Sequence, residues 1–198
     1  LNGSLALPTQ FAPVAWHFHE LLFGFVVAAI AGFMLTAIPN WTGRPPLQGW
    51  RLAALVFLWL AGRVAVAVSA WSGPALAALI DLSFLIIFAA VVGREIIAGR
   101  NWRNLPVLAA LTLLIAANAM LHAGARGNTV LEEFGKRLAI GVIVMLISLI
   151  GGRIIPSFTA NWLRKRHVER LPPGFETFDR VTLVFTAFAL ADWIAMGL

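Results

Sequence analysis

Of the chain's 198 residues, 60% are hydrophobic and 12% charged, against about a quarter charged in a soluble domain, which excludes an ordinary water-soluble core and predicts an all-α, polytopic transmembrane bundle. The formal net charge is +6, but 13 of the 15 basic residues are arginines that fall mostly between apolar stretches. That is the loop bias of a membrane protein; with no basic groove carrying exposed aromatic residues, nucleic acid is not an expected partner and the lipid bilayer is.

In chain order, six stretches approach the roughly 20 residues that cross a hydrocarbon core at 1.5 Å per residue, forming a single transmembrane domain over residues 1–198. Span one is expected over residues 14–38, stopped by Pro39. Span two follows over 52–71 and span three over 74–97, joined by a tight hairpin at Ser72 and Gly73. Span four covers 105–123, span five 138–155 with Pro156 at its end, and span six 177–198. The chain opens at Leu1 and closes inside an apolar stretch, so this reading expects part of something longer, with a missing second half or a partner subunit. The first residues lack the basic segment of a cleavable signal peptide.

The loops after spans one, three and five carry ten basic residues: Arg44, Arg51, Arg94, Arg100, Arg103, Arg153, Arg164, Lys165, Arg166 and Arg170. Those after spans two and four carry Arg126, Lys136 and Arg137, diluted by Glu132 and Glu133. The positive-inside rule then places the start of span one on the periplasmic side of a bacterial inner membrane. The Arg164 to Arg170 cluster reads as a topology anchor, or as an anionic-lipid or partner site. A faint echo between Ile38-Pro39-Asn40-Trp41-Thr42 and Ile155-Pro156-Ser157-Phe158-Thr159 hints at duplication.

With that topology His17, His19 and Glu20 share a level with His122, and Asn118 lies one turn from His122 on the same face. The chain has no cysteine, so thiolate metal sites are excluded and imidazole is the available ligand. At 100° per residue His17 and His19 point about 200° apart and cannot both face one site on an α-helix. The His17 face continues through Glu20, Gly24 and Ala28, a stripe of small residues that admits a neighbouring helix. His19 shares its face with Phe23, Val26, Ile30 and Phe33, which suits lipid or a bulky neighbour. The functional reading pairs His17 with His122 on a haem iron or copper, with Glu20 and Asn118 orienting the rings; an unwound first turn would let His17 and His19 chelate one metal together. The plainer alternative is interfacial histidines held by water and backbone carbonyls.

Arg63 and Asp81 are the costly residues, because an ionised side chain inside a bilayer must be paired or hydrated. Each stands about nine residues from the hairpin turn, at equal depth, so they can form a salt bridge. An arginine beside a cofactor could instead hold a propionate. Trp59, four residues before Arg63, could pack over the guanidinium.

The run from Trp16, His17, His19 and Glu20 through Gly24, Gly32, Thr36, Pro39, Asn40, Trp41, Thr42, Gly43 and Arg44 resembles the NnrS family of bacterial membrane proteins. So do Gly62 and Arg63, Asn101 to Leu105, the Asn118 to His122 spacing, and Gly152, Arg153, Ile155, Pro156, Phe158, Thr159 and Asn161. The resemblance implies an inner-membrane protein containing haem (haem b) and copper, associated with nitric oxide metabolism, denitrification and resistance to nitrosative stress, and carries metal-binding roles to His17, His19, Glu20 and His122. It implies no particular reaction. Family members run to about twelve helices, and the later half brings further histidines. A competing class is a transporter or channel with Arg63, Asp81 and Asp192 along its path.

Overall fold

The structure, a computed structural model, describes residues 7–196. Among the described residues six long helices follow one another: α1, Pro13–Thr42; α2, Trp50–Ala67; α3, Pro74–Ala98; α4, Leu105–Gly124; α5, Thr129–Arg164; and α6, Thr177–Ala195. No strand occurs among the described residues. Helices α1 to α5 are each long and apolar enough to cross a membrane, which makes the chain a multi-pass membrane protein of the expected helical class. Helix α6 coincides with the expected last span as far as residue 195; residues 197 and 198 lie outside the described residues. It carries Asp179, Arg180 and Asp192 and is not one of the five.

Two proline expectations are corrected. Pro39 and Pro156 lie inside α1 and α5 rather than ending them. A proline removes one amide donor and strands a carbonyl, and near Pro39 side chains occupy neighbouring carbonyls. Thr36 Oγ1 donates to Phe33 O (2.7 Å), Asn40 Nδ2 to Thr36 O (3.3 Å) and Thr42 Oγ1 to Ile38 O (2.8 Å). Helix α1 stops one turn later at Gly43, whose φ of 69° takes the left-handed conformation that an L-residue resists. Span two, expected to run to residue 71, ends at Ala67, and a separate turn, Ser69–Ser72, makes the corner into α3.

Contacts divide the chain into two compact units, one ending at Ala139 and the other beginning at Ile140. In the first unit α3 is the central helix, packing on α2, α4 and α1. Its buried side includes Ala77, Asp81, Phe84, Leu85, Phe88, Val92 and Ile96, while Leu79, Ile86 and Ile87 face outwards, as a lipid-solvated helix allows. Close approach of α2 is secured at Gly62, where a Cβ would stand 3.2 Å from the Asp81 backbone. In the second unit Gly141 on α5 meets Ile194 of α6, a capping box between Glu176 and Asp179 starts α6, and Arg153 lies over the Phe175 ring at 5.3 Å.

One irregularity positions the site. Residues Glu20–Val26 of α1 form a π-helix, with the Val27 amide reaching back five residues to the Leu22 carbonyl. The wider turn shifts the phase of the side chains that follow, as π segments at functional sites commonly do. The buried stripe of α1 therefore runs His19, Phe23, Val27, Ala31, Met34 and Ile38.

Candidate metal centre

The start of α1, the end of α2, the start of α3 and the end of α4 meet at one end of the first unit, and each contributes a polar side chain. His19 lies about two turns into α1, roughly 9 Å along its axis, and is fully buried. Asp81, two turns into α3, is 3% exposed; Asn118 and His122, one turn apart on α4, are equally enclosed. Arg63 reaches over from α2.

Asp81 is the hub. Its Oδ2 accepts from Asn118 Nδ2 at 2.8 Å and from His122 Nε2 at 3.0 Å, and lies 3.2 Å from His19 Nε2. Its Oδ1 pairs with Arg63. The same guanidinium bridges to Glu20 Oε1 at 2.8 Å, and Glu20 Oε1 lies 3.3 Å from His19 Nδ1. Asn118 closes the circuit: while Nδ2 donates to Asp81, Oδ1 accepts from His19 Nε2 at 3.0 Å. The two imidazoles stand edge to face, with centroids 5.1 Å apart.

A short segment before α1 covers this cluster. Pro8 accepts from the Ala70 amide (2.8 Å), the Gln10 amide donates to Ser69 Oγ (2.9 Å), and Thr9 Oγ1 shares a hydrogen bond with the same hydroxyl (3.2 Å). Thus pinned, Phe11 is buried with its ring 5.0 Å from His19 and 5.4 Å from His122. Gln10 Nε2 reaches His122 Nδ1 at 3.4 Å.

One nitrogen from each of His19 and His122 and one oxygen of Asp81 lie within 4.8 Å of one another, a spacing that could hold a metal ion. Two imidazoles and a carboxylate suit Cu(II), Zn(II) or Fe(II). Formal charge favours a cation as well: Glu20 and Asp81 bring two negative charges and Arg63 returns one. An uncompensated charge away from water is costly.

The expected pairing of His17 with His122 is corrected: His17 faces outwards, and His19 takes its place. The helix-face argument assumed unbroken α-geometry, and the π segment turns the His19 and Phe23 side inwards. His17 and His19 do not converge on one ion, since the first turn of α1 is helical. Glu20, Asn118 and Arg63 do converge on the cluster. Trp59 does not cover the guanidinium but donates from Nε1 to Gly24 O at 3.1 Å. Asp192 belongs to the second unit and faces outwards. The sequence reading gave Asp81 a salt bridge or a place on a transport path, not a place beside the histidines, and missed Gln10, Phe11 and Ser69. No spacing pattern marks the latter, although the proline at the start of α1 shows that an extended segment precedes it.

Fold and site together define a polytopic helical membrane protein with a buried histidine and carboxylate cluster near one end of its first four helices. The NnrS family model, described as NnrS protein, matches residues 1–198, and the chain belongs to that family. No curated protein and no solved structure matches it.

Proposed function

We propose that this chain is an inner-membrane metal-binding protein in which His19, Asp81 and His122 hold one copper ion, and that it serves nitric oxide metabolism and nitrosative-stress resistance, as its resemblance to NnrS proteins implies. The observation that carries the metal reading is three ligand atoms within 4.8 Å at a buried place with a formal charge of −1. Copper is preferred because affinity for nitrogen and oxygen sites peaks at Cu(II) among first-row divalent ions. Bound there, copper would supply one-electron chemistry and a coordination position for a small diatomic ligand. The chain's own residues hold and orient: Glu20 on His19 Nδ1 and Gln10 on His122 Nδ1 hold the rings from the nitrogens away from Asp81, Asn118 and Arg63 hold Asp81 in place, and Phe11 covers both rings.

A haem does not fit between these histidines. The two ring centroids stand 5.1 Å apart, edge to face, too close for a porphyrin plane between them, and Phe11 packs on both rings. No step is therefore assigned to haem here, and Arg63, committed to two carboxylates, is not free to hold a propionate.

Metal analysis of the purified chain tests the reading. Stoichiometric copper is expected, retained in His17→Ala and lost in His19→Ala and His122→Ala. A metal-free wild type after copper loading, or loss in His17→Ala alone, would overturn it. A Soret band that survives both buried substitutions would put haem elsewhere.

A further inference from the structure

At the other end of the first unit, a cavity of about 690 Å³ opens between the end of α1, the following loop, α2 and α3. Its floor is apolar, with Leu55 and Leu58 on α2 facing Ile87 and Val91 on α3. Its rim carries Arg44, Arg51, Arg94 and Glu95. The rim charges are unequally used. Arg44 is paired with Glu95, which consumes the cavity's one carboxylate. Arg51 and Arg94 make no ion pair among the described residues, and Arg51 rests over Trp50 at 5.6 Å. Two outward-facing guanidinium groups thus border an apolar trough formed by membrane-spanning helices.

The wall is built rather than incidental. Pro45 and Pro46 restrict the loop, Gly43 and Gly49 take positive φ at its two ends, and the Arg44 to Glu95 pair ties it to α3. Asn101 Nδ2 also donates to Trp41 O, holding the end of α1. An open trough at the boundary where apolar helices give way to arginines has the shape and charge for an amphiphile.

We propose that this groove binds an anionic phospholipid, with the phosphodiester between Arg51 and Arg94 and an acyl chain along Leu55, Leu58, Ile87 and Val91. Phospholipid is the occupant because one molecule satisfies both halves of the lining: phosphate suits the paired guanidinium donors, and hydrocarbon suits the trough. A net negative headgroup is required because the two unpaired cations leave the groove at +2 once Arg44 and Glu95 cancel. The site lies at the far end of α1 from His19 and is independent of the metal reading.

The test is retention of phosphatidylglycerol against phosphatidylcholine by the full chain in mixed detergent micelles, read by native mass spectrometry. Preferential retention of phosphatidylglycerol is expected, with about a fivefold loss for each of Arg51→Gln and Arg94→Gln. Ala54→Phe, which fills the trough while leaving both charges, should lower retention as well, and the Arg51→Lys, Arg94→Lys pair should keep most of it. Equal retention of the two lipids, or displacement of phosphatidylglycerol by millimolar inorganic phosphate, would overturn the proposal. So would full retention in Ala54→Phe, because binding would then rest on surface charge alone. Circular dichroism of each variant separates loss of lipid from loss of fold.

Discussion

Asp81 joins four side chains through two oxygen atoms, and its removal should be the most damaging single change in the first unit. Asp81→Ala leaves Arg63 facing Glu20 alone and orphans donors on Asn118 and His122. Breaking a buried charge pair in this way costs about 3–5 kcal/mol. A matched apolar exchange, Arg63→Met with Asp81→Leu, removes both charges together and should cost less than the sum of the single changes. Thermal unfolding in detergent would show this as partial recovery of Tm in the double variant. The pair itself was legible from equal spacing about the hairpin, because helix rise converts residue number into depth. That Asp81 is also a ligand candidate was not, because depth says nothing of direction.

At the scale of the element, α1 carries the one departure from regular geometry that decides which histidine faces inwards. Hydrophobic periodicity assumes a constant angle per residue, and the π segment Glu20–Val26 breaks that assumption where the inference needed it. The sequence therefore yielded the helices that build the cluster and the shared level of α1 and the end of α4, and it named Glu20 and Asn118 beside His122, but its preferred pairing set His17 and not His19 opposite His122. Deleting the outward-facing Phe25 should restore α-geometry and turn His19 by roughly 100° relative to the rest of the buried stripe. Helix content by circular dichroism should be unchanged, while copper binding should fall to that of His19→Ala. Retained binding would mean that the π turn does not aim the ring. Proline misled the boundaries for a related reason: side chains near Pro39 bond neighbouring carbonyls, and no local sequence rule announces that such compensation will occur.

For the molecule as a whole, composition made the membrane class legible, because no packing detail can hide so much apolar surface. Orientation rests on the loops, where arginine gathers after α1, α3 and α5. Lacking cysteine, the chain permits a clean labelling test. Gln48→Cys and Arg126→Cys, each at an outward-facing loop position, should react with an impermeant maleimide from opposite sides, with Arg126→Cys labelled in intact cells and Gln48→Cys only after lysis. The reverse pattern would invert the assigned topology.

Phe11 adds a matter of timing. Because the ring sits over both imidazoles and its segment is pinned to the Ser69 corner, an ion beneath it would be shielded until that segment lifts. Stripping by a strong chelator should then be first order, at a rate that stops rising with chelator concentration. Ser69→Ala, with the hydroxyl latch gone, should speed release without weakening affinity to the same degree. Such a centre would act as a long-term holder of its metal, filled once and emptied rarely, and not as a station in rapid exchange.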